Sequence, residues 1–160
     1  MRHIDKIRTI ATAALLLAAS AAFADKPVTT KQLPQQARTF LTQYYPSSSV
    51  IYASTERELF DRSYETMLED GTVIEFTKDG QWYEIKAPKG GRIPSAALPH
   101  KVAAYVKRIY PDAGVRQIEA ERNKYEVELT NGVEITFNHN GDLLRTSDYM
   151  QQQPDHRFRF

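Results

Sequence analysis

The chain has 160 residues, 41% of them hydrophobic and 26% charged, with 21 Lys and Arg against 20 Asp and Glu and no cysteine. A net charge of +1 gives no bulk field for nucleic acid or an anionic membrane. The absence of cysteine excludes disulfides, thiol catalysis, zinc–thiolate sites and thioether-linked haem.

Residues 1–24 predict a secretory signal peptide. Arg2, Lys6 and Arg8 make a basic start, residues 10–22 are an apolar run, and Ala22 and Ala24 supply the small residues of a cleavage site before Asp25. The apolar run is shorter than the roughly 20 residues that cross a bilayer. With no cysteine at the cleavage point, lipoprotein anchoring is excluded. Removing the leader takes away three basic residues and one acidic residue, which leaves a net charge of −1. An exported, cysteine-free chain fits the bacterial periplasm or the cell exterior.

After a short lead, 25–32, the chain repeats itself. LPQQARTFLTQYYP (33–46) matches LPHKVAAYVKRIYP (98–111), and YETMLEDGTVIEFTKDG (64–80) matches YEVELTNGVEITFNHNG (125–141). A repeated pattern of this length marks one supersecondary unit made twice. In the first match, Leu33, Ala37, Phe40, Leu41 and Tyr44 form one stripe at helical spacing, as do Leu98, Val102, Tyr105, Val106 and Ile109. Pro34 and Pro99 suit a first helical turn, Thr30 or Ser95 is placed to cap, and Pro46 and Pro111 end the helices. Such short helices are marginal alone and must pack on something.

The remainder of each unit reads as strands. Residues 50–56 and 115–121 open each set, 64–69 and 125–130 alternate polar and apolar, and Asp70-Gly71 and Asn131-Gly132 are strong hairpin signals. Residues 72–77 and 133–138 return, Asp79-Gly80 and Asn140-Gly141 turn again, and 81–86 and 142–145 close each unit. Leu68, Ile74, Phe76, Leu129, Ile135 and Phe137 should face the helices, while Glu65, Glu69, Glu75, Glu126, Glu128 and Glu134 face water. The expected architecture is α+β: tandem α-β-β-β-β repeats at 33–86 and 98–149, joined by the linker 87–97. Two helices pack on one face of an antiparallel, eight-stranded sheet, and 150–160 form a flexible tail. The first unit carries extra residues at 58–63, with Leu59 and Phe60 expected in an exposed loop.

The motifs Leu33-Pro34 to Tyr45-Pro46 and Leu98-Pro99 to Tyr110-Pro111, with the paired glycine turns, resemble the PepSY-like family of exported bacterial proteins. These proteins are also described as resembling the β-lactamase inhibitor protein. The resemblance implies helices on one face of a curved sheet and no catalytic residues to carry over. A shared fold does not establish inhibition, and no inhibitory loop maps onto this chain.

The chemistry is sparse. His100, His139 and His156 have no metal-pair spacing, and Asn138 to Asp142 lacks the downstream Glu of a calcium loop. No nucleophile elbow, phosphate loop or cofactor motif occurs, so no enzyme, cofactor or metal site is expected. The aromatic residues Tyr52, Trp82 and Tyr83 are candidate partner anchors, because Trp and Tyr concentrate at binding hot spots. Alternation sends one of Trp82 and Tyr83 inward and the other outward. Glu75 and Glu134 are candidate polar rim residues. The expectation is a non-enzymatic module that binds a protein or peptide on the open sheet face. The alternative is a small-molecule or cation sensor that uses the carboxylates of that face. The alternation in the tail, His156 to Phe160, also permits strand addition to a partner.

Overall fold

The computed structural model describes residues 26–57 and 62–148. The leader with its cleavage site, Leu59 and Phe60, and the tail 150–160 lie outside them. A two-residue strand β1 (Lys26–Pro27) precedes α1 (Gln35–Tyr44), β2 (Val50–Arg57), β3 (Arg62–Leu68), β4 (Val73–Thr77) and β5 (Trp82–Lys86). The same order follows in the second half: α2 (His100–Ile109), β6 (Val115–Ala120), β7 (Lys124–Leu129), β8 (Glu134–Asn138) and β9 (Leu143–Thr146). All nine strands lie in one antiparallel sheet in sequence order. The fold is α+β.

Nine strands replace the expected eight because β1, in the N-terminal lead, pairs with β2. The Val28 N–H donates to the Ala53 carbonyl at 2.9 Å and continues that pairing. Proline is tolerated there because an edge strand has an outward N–H to spare. Pro34 and Pro99 sit one position earlier than expected, at the N-caps of α1 and α2. Their carbonyls accept the N–H groups of Arg38 and Ala103 at 3.1 and 3.0 Å. No side chain caps either helix. Thr30 and Ser95 instead open short 3₁₀ turns, Thr30–Gln32 and Ser95–Ala97. Glu69 is displaced too, falling past the end of β3 in the turn before β4.

The core forms where the helix stripes meet the inner sheet face. Cross-strand register lines up Ala53, Thr66, Ile74, Ile85, Ile118, Val127, Ile135 and Thr146, and all are buried. Above this row, Phe40 of α1 sits edge-on to Phe76 at 6.0 Å, and Tyr105 of α2 to Phe137 at 5.3 Å. Each fully buried aliphatic or Phe side chain in such a core contributes about 1.5–3 kcal/mol of transfer free energy. The halves join edge to edge, with Glu84 opposite Glu119, Ile85 opposite Ile118 and Lys86 opposite Gln117. Segment 87–97 does more than link. The N–H groups of Ala87 and Ile93 donate to the carbonyls of Arg116 and Val115, both at 2.8 Å, and Ala87, Ile93 and Ala97 are buried.

One detail separates the halves. Tyr110 Oη lies 3.4 Å from Thr146 Oγ1. The position opposite Ile74 that corresponds to Thr146 is Ile85, whose side chain offers no hydrogen-bonding group. Among the described residues the buried Tyr45 hydroxyl has no partner. Burial pushes its ionisation up, and Asp70 adds to the effect. The matching turns at Gly141 and Gly80 are both crowded: a Cβ on Gly141, at φ +81°, would come within 2.7 Å of Lys101 Cβ, and one on Gly80, at φ +86°, within 2.7 Å of the Ala37 nitrogen and 2.9 Å of Pro34 Cβ. The Gly80 turn is pressed onto the start of α1. Gly132, at φ +84°, has nothing within 4 Å of that position.

In urea denaturation, Gly132→Ala is expected to cost about 1–2 kcal/mol from the left-handed backbone alone, and Gly80→Ala clearly more because the helix backbone must shift. Tyr110→Phe is expected to cost about 0.5–1.5 kcal/mol for its hydrogen bond, while Tyr45→Phe leaves stability unchanged or raised, since it removes an unsatisfied buried hydroxyl. Equal losses for the two tyrosine variants would contradict this difference.

Candidate functional site on the open sheet face

Four strands skip one residue in pairing, which leaves Ile51, Tyr83, Arg116 and Leu144 as the extra residues of bulges in β2, β5, β6 and β9. A bulge breaks strict alternation and re-aims side chains. In the middle of the sheet it turns two successive side chains toward the face opposite the helices. Tyr83 and Glu84 both point there, as do Arg116 and Gln117. The Tyr83 hydroxyl donates a short hydrogen bond to Glu75, Gln117 Nε2 donates to Glu84 Oε1 at 2.7 Å, and the Arg116 guanidinium grips both oxygens of Glu128.

The register that buries the isoleucine row creates a second row on this open face: Ser54, Glu65, Glu75, Glu84, Glu119, Glu126, Thr136 and Arg145. Five adjacent strands, β3 to β7, each contribute a glutamate opposite the next. Directly opposed residues have Cβ atoms roughly 5 Å apart, where like charges repel. Cations gather at the second-half end, where Lys124 Nζ lies 2.5 Å from Glu126 and 3.2 Å from Glu121. Hydrogen bonding to Glu126 raises the Lys124 ammonium above its ordinary range. Among the described residues, none of Glu75, Glu84 and Glu119 has a Lys or Arg within salt-bridge distance.

Burial is the main reason the carboxyls of Glu84 and Glu119 are raised above the usual carboxylate range. The charges of Glu75 and Glu119 add to it for Glu84, and those of Glu121 and Glu126 for Glu119. The Tyr83 phenol is raised as well, by burial first and then by its bond to Glu75.

The candidates divide by face. Tyr52 lies on the open face opposite Met67 and beside Ile51; these three are 40%, 36% and 61% exposed and form an apolar end to the acidic row. Tyr83 and Glu75 are bonded to each other there, and Glu134 is exposed on β8 opposite Glu128. Trp82 is not on this face. It pairs with the buried Phe76 and packs against the core, 6.5 Å from Phe40 and 6.4 Å from Tyr125. The expected split is found, with Trp82 the inward residue and Tyr83 the outward one, and it removes Trp82 from the open surface. Glu84 and Glu119 were missed in the sequence. Alternation marks each as outward, but only the pairing of β5 with β6 makes them neighbours. His100 is exposed on α2, and His139 stacks on Tyr125 at 5.8 Å. Among the described residues no three His, Asp or Glu groups converge to hold a metal ion, and no helix is long and apolar enough to cross a membrane.

Two depressions mark the face. A shallow one of about 510 Å³ lies between Glu119, Glu126, Glu128 and Arg145. A smaller, more enclosed one of about 80 Å³ lies among Ser54, Glu65, Glu75 and Tyr83.

Because the folded state raises the affinity of Glu84 and Glu119 for protons, their contribution to stability is present below the ordinary carboxylate pKa and is lost as pH rises through the raised values. Glu84→Gln and Glu119→Gln are therefore expected to stabilise the protein at pH 7.5 by a few tenths of a kcal/mol to about 1 kcal/mol. The gain should shrink as pH falls below the ordinary carboxylate range. Denaturation midpoints at pH 7.5 and pH 4 measure it, and a gain that grows with acid would contradict the repulsion.

Residues 62–145 match the PepSY-like family, provisionally described as beta-lactamase-inhibitor-like. No curated protein matches the chain. Solved structures do. A periplasmic protein of Bacteroides thetaiotaomicron, provisionally described as calcium-regulated, is 35% identical over 78% of this chain and 97% of its own, with a TM-score of 0.72. A periplasmic protein of the DUF2874 family from Bacteroides vulgatus is 37% identical, with the same coverage and TM-score. A second Bacteroides vulgatus periplasmic protein, of unknown function, is 32% identical over 78% of this chain and all of its own, with a TM-score of 0.70. This chain is periplasmic like these relatives, and it belongs to the PepSY-like family.

Proposed function

We propose that the protein is a non-enzymatic periplasmic module whose open sheet face binds a protein or peptide partner, its two halves being copies of one α-β-β-β-β unit. The observation that carries this reading is the row of glutamates on five adjacent strands. Among the described residues its three central members have neutral donors or none, and it ends in the exposed Tyr52 and Met67. Stability alone does not explain opposed like charges, since they cost free energy. A partner bearing positive charge would offset that cost on docking, and Tyr52 with Met67 supplies apolar area of the kind found at hot spots. The description of the family as inhibitor-like accords with a role exerted through a binding surface rather than through catalysis.

A second reading follows from the relative described as calcium-regulated: a cation sensor using the same carboxylates. Against it, no three metal-ligating groups converge among the described residues.

Photo-crosslinking residues placed at Met67 and Gln117, in cells exporting the full chain, are expected to trap a partner, whereas one at Lys107 on the outer side of α2 does not. Absence of any adduct from the open face would overturn the docking reading. Millimolar calcium is expected to leave the melting temperature unchanged. A rise that follows RT ln(1 + [L]/Kd) would favour the sensor instead.

A further inference from the structure

The short strand β1 takes, on β2, the place that β5 takes on β6. The two seats correspond. Ser54 lies opposite Glu65 and Ala53 opposite Thr66, as Glu119 lies opposite Glu126 and Ile118 opposite Val127. On β6 the seat is filled by Glu84 and Ile85, opposite Glu119 and Ile118. On β2 it is filled by Pro27, opposite Ser54, and then by Val28, whose N–H donates to the Ala53 carbonyl at 2.9 Å. The Val28 side chain packs against the core, in which Ile85 is buried. Each strand then leads through a 3₁₀ turn into a helix, Thr30–Gln32 before α1 and Ser95–Ala97 before α2. β1 is thus a shortened closing strand. Its residues suit the end of a sheet: it is a single exposed lysine and a single exposed proline, which discourage a further strand from pairing. At the other end of the described sheet, β9 closes the second half as β5 closes the first. Among the described residues the exposed large hydrophobic side chains, Ile51, Tyr52, Met67, Leu143 and Leu144, all lie at these two ends.

We infer that β1 is an edge cap, and that the β2 edge beneath it is a seat for β9 of a second copy of this chain. The inference rests on reading the halves as copies of one unit, and not on the docking of a partner at the open face. The joint between β5 and β6 supplies the register. Arg145 pairs with Thr136 as Glu84 pairs with Glu75, and Thr146 with Ile135 as Ile85 with Ile74. Seated as β5 is on β6, β9 places Arg145 opposite Ser54 and Thr146 opposite Ala53. Two small side chains then meet on the inner face. Leu143, which pairs with Phe137 as Trp82 pairs with Phe76, comes beside Tyr64 of the second copy, as Trp82 lies 6.4 Å from Tyr125. On the open face the internal joint opposes Glu84 to Glu119, whereas this one sets Arg145 against a serine, with Glu65 one strand further. It therefore lacks the like-charge repulsion of the internal joint. It also uses two different edges, so it leaves one of each free and does not close at a dimer. Repeat arrays need altered terminal units for this reason, and β1 is such an end.

The test uses the protein purified from cells exporting the full chain, its mass followed by sedimentation at rising concentration. The unaltered protein is expected to stay a monomer. Lys26→Gly, Pro27→Gly and Val28→Gly together remove the cap, and the mass is then expected to climb with concentration past two chains. An excess of unaltered protein should pull that mass down, because it can add through β9 but presents a covered β2. The chain has no cysteine, so single cysteines report the register. Uncapped chains carrying Ser54→Cys, mixed with uncapped chains carrying Arg145→Cys, should be joined by a short bismaleimide, and those carrying Lys107→Cys should not. A melting curve checks that the uncapped fold is intact. If it is not, Val28→Ala, which removes only the apolar contact of the cap, is expected to give the same growth at higher concentration. A folded uncapped chain that stays monomeric, growth that stops at a dimer, or an unaltered protein already linked through positions 54 and 145 would overturn the cap. Growth without that link would overturn the joint and, with it, the reading of the halves as copies; absence of growth removes the cap and leaves that reading standing.

Discussion

The pairing of β5 with β6 is the constraint on which the other features depend. The first half alone is a short helix on five strands and the second a short helix on four, with β5 of the one and β6 of the other left as open edges. Joining Ile85 to Ile118 makes one continuous row of buried aliphatic side chains across the sheet and brings the segment 87–97 into the core. Strand geometry then allows no choice on the other side. If Ile85 and Ile118 face inward in register, Glu84 and Glu119 must be opposed outward. The acidic row is thus the outer image of the hydrophobic one.

That coupling explains the character of the face. A solvated sheet surface usually alternates charges across strands, because opposite charges attract and like charges repel. The second half follows this rule in part, with Arg116 on Glu128 and Lys124 between Glu121 and Glu126. The centre does not. Glu75 and Glu84 are satisfied by a phenol and an amide, which hold the carboxylates in place without neutralising them. Bulges supply both donors, since the extra residue in β5 brings Tyr83 beside Glu84 and the one in β6 aims Arg116 and Gln117 together. Such an arrangement leaves negative charge concentrated at the centre of the face.

The halves also differ where their positions in the sheet differ. Thr146 on the edge strand β9 presents a hydroxyl; Ile85 on the central strand β5 presents none. Tyr110 therefore keeps a hydroxyl partner that Tyr45 lacks. Similar segments in dissimilar surroundings acquire different energetics, and the small enclosed cavity belongs to the first half.

Much of this was legible in the amino-acid sequence, because it depends on local periodicity. The stripe from Leu33 to Leu41 specified α1 and its buried side, the alternation around Ile74 and Phe76 specified β4 and its inner face, and the Asp-Gly and Asn-Gly pairs specified the hairpins. Split alternation anticipated that Trp82 and Tyr83 would part. Three things were decided only in the tertiary structure. The partner of β5 is non-local, so the meeting of Glu84 with Glu119 is not written in either segment. The bulges that turn Tyr83 and Arg116 outward leave no periodic signature. The strand at Lys26–Pro27 exists only because β2 has an open edge to receive it. Local sequence determines which side of a strand a residue faces; which strand lies beside it, and therefore which charges meet, is fixed by how the whole core closes.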